Sequence, residues 1–283
     1  DGSKRAIFPI EARLRKISYA APVYIEVSAH INGIQRESFT TQVGSLPIML
    51  KSAYCHLNKL NRDELIQRGE DPDDDGGYFI INGSERVLIK VEDLCANKFL
   101  IHKASIGVSD YVGKIFSEFG SFKIPHTMER MKDGMFYLTF TRVKRMPIIM
   151  IVKALGLTKD EDIMRLITGG EQNDMIFVNL LEFVDVKTEE EALDWIAKRI
   201  GITQSKEIRI ERMKEIIDRY LLPHLGTKKE ERMLKAYNLC KYLKKYSSVV
   251  KGDLPIDDKD HYMNKRIKMS GDLLADLFRV NLK

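Results

Sequence analysis

Two Asn-Gly dipeptides, Asn32-Gly33 and Asn82-Gly83, stand between runs of strand-forming residues and dictate the local topology of the first third of this chain. Asn and Gly both tolerate positive φ, so each pair closes a two-residue turn whose twist suits antiparallel strands. Before the first turn, Val23, Ile25, Val27, Ala29 and Ile31 fall at every second position. That is the period of a strand with one buried face, and it predicts a returning strand over 34–43. Before the second turn runs Tyr78-Phe79-Ile80-Ile81; after it come Ser84-Glu85-Arg86 and then Val87-Leu88-Ile89, the expected return strand. Two short helices fit between and before these hairpins, over 11–17 and over 61–68, the second capped by Asn61 and stopped by Gly69.

Beyond about residue 92 the pattern changes, first to further strands (99–108, and 135–141 after the Asp133-Gly134 turn) and then to helices. Thr188-Glu189-Glu190-Glu191 is a capping box that opens a helix ended by Gly201. Further helices are expected over 207–222, stopped by Pro223, and over 230–246. This is an α+β chain, strand-led in its first third and helix-rich from Pro147 onward. With 283 residues it is long enough for about two domains, and 44% hydrophobic residues exclude wholesale disorder. No apolar run reaches the roughly 18 residues of a membrane helix, and Asp1-Gly2-Ser3-Lys4-Arg5 has no signal-peptide core. Three dispersed cysteines, Cys55, Cys95 and Cys240, suit a reducing, cytoplasmic setting. The chain lacks an initiator Met and stops inside the amphipathic pattern 273–278, as a piece of a longer polypeptide would.

Motifs that carry chemistry are few. Asp71-Pro72-Asp73-Asp74-Asp75-Gly76 matches the opening of a calcium-binding loop, but the position that needs a bidentate Glu is Asn82 and a hairpin follows where a helix should. It reads as a solvated acidic turn. Asp257-Asp258-Lys259-Asp260-His261 could hold magnesium, although aspartates after a proline are also ordinary turn residues. The six histidines have no metal-ligand spacing, and no phosphate-binding glycine loop or nucleophile elbow is present. Charge is distributed unevenly. Between His224 and Lys251 lie eight basic residues (Lys228, Lys229, Arg232, Lys235, Lys241, Lys244, Lys245, Lys251) against Glu230 and Glu231. That excess of six exceeds the +5 of the whole chain. On a helix, Met233, Tyr237, Cys240 and Leu243 form an apolar stripe, and Lys241, Lys244 and Lys245 project from another side. Such a face can neutralise nucleic-acid phosphates or simply keep a helix soluble. Two further basic groups are Arg13-Leu14-Arg15-Lys16 and Asn264-Lys265-Arg266-Ile267-Lys268.

Taken in order, Glu11-Ala12-Arg13-Leu14-Arg15, Leu46-Pro47-Ile48-Met49-Leu50-Lys51-Ser52, the run from Gly76 through Ile89, and Asp257 through Arg266 resemble the second-largest subunit of multisubunit DNA-directed RNA polymerases, in its archaeal or eukaryotic form, the absence of acidic insertions favouring the archaeal B type. The resemblance covers essentially the whole chain. It implies that 1–92 and 272–283 belong to a protrusion domain and 93–271 to a lobe inserted within it, lining one side of the DNA cleft. It implies a non-catalytic fragment of a nucleotidyltransferase: the catalytic magnesium of the complete polymerase is held elsewhere, and no cofactor is expected in this fragment. Implied partners are other polymerase subunits, duplex DNA and initiation or elongation factors, with no membrane. By the same resemblance Asp260 is the candidate for a base contact, Lys265 and Arg266 for phosphate or ion-pair roles, and Lys241, Lys244 and Lys245 for guiding duplex phosphates. The hairpin at Asn82-Gly83 is architectural, with Glu85 or Arg86 in an internal ion pair. Met263 and Leu94 depart from the pattern, standing where relatives often have Gly and where bacterial relatives have Arg. Two other functions fit the residues alone: an independent, sequence-neutral nucleic-acid-binding module, and a protein-interaction platform.

Overall fold

The computed structural model describes residues 6–104, 109–120, 122–141, 143–171 and 173–282. The chain divides into two compact units, 1–90 and 91–283.

In the first unit, helix α1 (Pro9–Leu14) starts with Pro9 in its first turn, where a missing N–H is harmless, and ends before Lys16 turns to positive φ. It is therefore displaced from the expected 11–17. Strands β1 (Ala20–Val27), β2 (His30–Ile31), β3 (Ile34–Gln35) and β4 (Phe39–Pro47) follow. Asn32 and Gly33 both have positive φ, and β2 and β3 pair across them as expected. The long return pairing is β1 with β4, with an irregularity at Val23/Tyr24. The expectation of a buried face fails here: Ile25 is 43% and Tyr24 57% exposed, because this ribbon has only two strands. Helix α2 (Arg62–Gln67) has the Asn61 cap, reinforced by Glu64 in a reciprocal capping box. Strands β5 (Phe79–Ile81) and β6 (Ser84–Arg86) form the second hairpin. The return strand is thus Ser84–Arg86 and not Val87-Leu88-Ile89. Pairing ends at Phe79 because the preceding backbone is already engaged, Leu50 donating to the Tyr78 carbonyl and Gly77 to the Leu50 carbonyl. Ala12, Tyr19, Leu50, Cys55, Leu57, Leu65 and Ile80 make the core. Arg13 locks it from α1, donating to Glu70 at 2.6 Å, to the Tyr78 hydroxyl at 2.7 Å and to Glu85 at 2.9 Å. Glu85 therefore makes the expected internal ion pair.

The second unit opens with β7 (Val91–Leu94) and continues through β8 (Leu100–Lys103), β9 (Tyr111–Phe119), β10 (Phe122–Arg130), β11 (Phe136–Phe140) and β12 (Val143–Pro147). The last five form an antiparallel meander in the order β12-β11-β10-β9-β8. Residues 105–108 of the expected strand lie outside the described residues. Helices α3 (Ile148–Ala154), α4 (Asp160–Thr168), α5 (Asp174–Leu181), α6 (Glu189–Ile200), α7 (Lys206–Tyr220) and α8 (Arg232–Lys251) come next, then β13 (Lys265–Lys268) and α9 (Ser270–Asn281). The strands-then-helices order makes this an α+β fold. Thr188 and Glu191 form the capping box of α6, and Gly201 ends it in a left-handed conformation, both as expected. Helix α7 stops at Tyr220 because Leu222, preceding Pro223, is forced out of the helical region. Helix α8 runs on to Lys251, five residues past the expected end, since the first breaker is Gly252. Every residue of α3 is buried, Lys153 included, and Lys153 donates to the Phe183 and Val186 carbonyls.

Candidate nucleic-acid interface

Helix α8 divides the clustered cations into engaged and available ones. Its buried side contains Arg232, Lys235, Ala236, Leu239, Cys240, Leu243, Tyr246, Ser247 and Val249. The expected apolar stripe is half wrong: Cys240 and Leu243 are buried, whereas Met233 and Tyr237 face outward. The core takes the side set by Leu239, Leu243 and Tyr246, rotated away from Met233 and Tyr237. Tyr246 anchors that side, donating to the Tyr111 carbonyl at 2.5 Å and meeting the Phe136 ring edge-on.

Three of the eight basic residues are structural. Arg232 forms a two-pronged pair with Asp218 at 2.7 and 2.6 Å. Fully buried Lys235 donates to the Ile217 and Asp218 carbonyls, 3.2 and 2.8 Å away, and burial lowers its pKa to about 8. Lys245 donates to the Phe99 carbonyl at 3.0 Å and to Asp257 Oδ2 at 2.7 Å. Lys241 and Lys244 are exposed and enter no ion pair among the described residues. The three lysines expected on one face therefore differ in kind: two are open to a ligand and one holds the fold.

What Lys245 holds is the segment that carries the other candidates. Asp257 Oδ2 accepts both Lys245 and the Ile101 N–H at 2.8 Å, and the Asp257 N–H donates to the Ile101 carbonyl at 2.8 Å. The aspartate that could have been a magnesium ligand is a latch onto β8 instead. Among the described residues no group of three His, Cys, Asp or Glu side chains is placed to hold a metal ion. Farther along, Asn264 donates to the Asp258 carbonyl at 2.5 Å and accepts from the Cys95 N–H at 2.8 Å. Strand β13 then pairs with β7, placing Lys265 opposite Leu94 and Arg266 opposite Asp93. Leu94 is thus a direct neighbour of the Lys265 backbone.

On this framework Asp260 sits at a turn closed by its N–H to Asp258 Oδ1 at 2.9 Å, with its side chain 81% exposed. Its Oδ1 lies 3.9 Å from Lys265 Nζ. Lys265 is closer to Glu92, at 2.5 Å, and that hydrogen-bonded pairing raises its pKa. Arg266 is exposed and donates to the carbonyl of Lys265 at 2.7 Å. The site is an open, mixed-charge edge with Asp260 and Arg266 outermost. Its exposed carboxylate and guanidinium can hydrogen-bond a base edge and attract a phosphate. Among the described residues one Ser–His pair occurs elsewhere, Ser117 Oγ to His224 Nδ1 at 2.7 Å, with Ser117 fully buried. Sequence reasoning missed Glu92 as the partner of Lys265; the β7–β13 pairing that joins them spans more than 170 residues of chain and leaves no local signal. No helix among the described residues is long and apolar enough to cross a membrane.

Residues 1–283 match the family described as RNA polymerase beta subunit. The chain is 42% identical over its whole length to the DNA-directed RNA polymerase subunit Rpo2 of Saccharolobus solfataricus, of which it covers 25%. It is 41% identical to subunit Rpo2N of Halobacterium salinarum, again over 100% of this chain and 56% of the relative. With Rpo2N of Methanocaldococcus jannaschii the identity is 40%, over 99% of this chain and 58% of the relative. The chain thus spans between a quarter and three-fifths of the length of these archaeal relatives. A match that runs unbroken from the first hairpins through the Asp257–Arg266 edge leaves one conclusion: this chain belongs to the RNA polymerase beta subunit family.

Proposed function

We propose that the chain is a non-catalytic part of a DNA-directed RNA polymerase, forming one wall of the DNA cleft and a docking surface for factors. In this reading 1–92 and 272–283 belong to the protrusion and 93–271 to the lobe. The observation that carries it is the full-length family match combined with Lys241 and Lys244 left exposed and unpaired on a helix whose other basic residues are mostly engaged. Lysines facing duplex phosphates position DNA without reading its sequence, which suits a cleft wall that must accept every template. Holding the template in register is a contribution to the reaction that needs no catalytic group here. The catalytic magnesium belongs to other parts of the polymerase, and Asp257 is committed to Lys245 and Ile101. Asp260 is the base-contact candidate, with Lys265 and Arg266 as its ion-pair and phosphate neighbours. Lys245 contributes indirectly, by fixing the segment that presents them.

The test has two arms. Mixed with the remaining polymerase subunits, the chain should restore open-complex formation to a core lacking it. Alone, it should bind duplex DNA weakly, with an affinity that falls with salt. The double variant Lys241→Glu/Lys244→Glu should flatten the log–log salt slope by about 2, roughly 0.9 per lost phosphate contact. Submicromolar, salt-insensitive binding by the isolated chain would contradict the proposal and favour an independent nucleic-acid-binding module.

A further inference from the structure

Helix α5 has apolar residues all round, Asp-Met-Ile-Phe-Val-Asn-Leu-Leu, a composition proper to a helix covered on every side. Only one side is covered. Ile176, Asn179 and Leu180 are buried, Asn179 tying the helix to β11 through the Phe136 N–H, whereas Phe177 is 55% and Leu181 60% exposed. These two, with Met164 of α4 and Val184 just beyond α5, line an open groove of about 750 Å³ between the two helices. The rim is acidic: Asp160 and Glu161 lie at the start of α4, Asp174 at the start of α5 and Glu171 between the two helices, and Arg165 is the single basic residue of the lining. Lys153 Nζ, 2.8 Å from Asp160 Oδ1, compensates that carboxylate; Glu161, Glu171 and Asp174 enter no ion pair among the described residues. An apolar floor of this size, bordered by uncompensated carboxylates, repels nucleic-acid phosphates and attracts cations mounted on an apolar segment.

We propose that the α4–α5 groove is a docking site for an amphipathic, basic helix of a protein partner. Nine-residue α4 is about 13 Å long at the α-helical rise, enough to seat two to three turns of a helix. The apolar anchors would occupy the space over Phe177 and Leu181, and lysines or arginines at the ends of the helix would meet Glu161 on one side and Glu171 and Asp174 on the other. This deepens the factor-docking part of the reading above by naming the chemistry of a partner.

The probe is a fluorescein-labelled 14-residue peptide with Leu at i, i+3, i+4 and i+7 and Lys at both ends, compared with a twin in which Glu replaces every Lys. Fluorescence anisotropy with the full chain should show the basic peptide binding at least ten-fold tighter than its twin. Phe177→Asp/Leu181→Asp should weaken it at least ten-fold, with far-UV circular dichroism showing that the fold is retained. A charge-only variant, Glu161→Lys/Glu171→Lys, leaves the floor intact and should reverse the preference toward the acidic twin. Hydrogen exchange in the wild-type chain should slow on peptide binding within 160–184. Equal affinity for both peptides, or protection elsewhere, would overturn the proposal. So would self-association of the chain abolished by Phe177→Asp/Leu181→Asp, which assigns the groove to a second copy, or protection of 160–184 by duplex DNA. None of these readouts requires polymerase assembly, so failure here and failure of the cleft-wall reading are distinguishable.

Discussion

Lowering the pH from 7 to 5 should destabilise the second unit by about 2 kcal/mol through His126 alone. The ring is buried on β10, where Nε2 accepts the Leu222 N–H at 3.1 Å and Nδ1 faces the Ile124 carbonyl at 3.1 Å. That arrangement uses the neutral ring with its proton on Nδ1; a second proton would set a donor against the Leu222 donor. Burial accordingly lowers the pKa from 6.5 to about 4. Between those values the unfolded chain binds a proton that the native chain refuses, so stability falls as the pH falls. The whole separation corresponds to about 3.4 kcal/mol, of which about 2 is lost by pH 5. Carboxylates with lowered pKa, such as Asp93 beside Lys123, contribute in a separate window below about pH 4. The single tryptophan, Trp195, lies in the same unit and meets the Phe183 ring edge-on at 5.6 Å, so its fluorescence reports this unit. Urea titrations at pH 7, 6 and 5 should show the midpoint falling at constant slope. His126→Gln, which can still accept from Leu222 and donate to Ile124, should lose about 2 kcal/mol of that pH dependence. Identical pH profiles for the two proteins would refute the reasoning.

Asp257→Ala removes the acceptor of both the Ile101 N–H and Lys245, and should cost roughly 2–4 kcal/mol by the same fluorescence titration. Lys245→Met on top of it should cost less than it does in the native background, because the two residues act as a pair. Gly83→Ala should destabilise the first unit by roughly 1–3 kcal/mol, since φ is +78° and the new Cβ would lie 2.7 Å from the Lys16 Cα; hydrogen exchange at Ile80 and Ile81 measures it. Thr188→Ala removes one half of the α6 capping box and should cost about 1 kcal/mol in the tryptophan-detected titration.

The features legible in the residues were those whose cause is local. Asn82-Gly83 closes a hairpin because two adjacent positions must take positive φ. Thr188 and Glu191 open α6 because a hydroxyl and a carboxylate three residues apart satisfy each other's backbone N–H groups. Strands β9 and β10 went unseen, since β9 departs from strict alternation where Gly113 admits the Phe99 ring against the backbone, a close approach that only the folded sheet creates. Met233 and Tyr237 were misplaced for a related reason. A helical period identifies positions on a common side, but the elements packed against α8, helices α3 and α4 and the sheet, select which side is covered.

By itself the sequence determined the α+β order of elements, the hairpin turns, the helix caps and membership in a family of polymerase subunits, because short-range stereochemistry and a long ordered motif string reside in the residues themselves. Tertiary structure alone decided which charges are available. Lys241, Lys244 and Lys245 are alike in the chain, and Lys245 is set apart by a carboxylate from Asp257 and a carbonyl from Phe99, 146 residues away. A cation's partner is a matter of distance in space, which the order of residues does not encode locally.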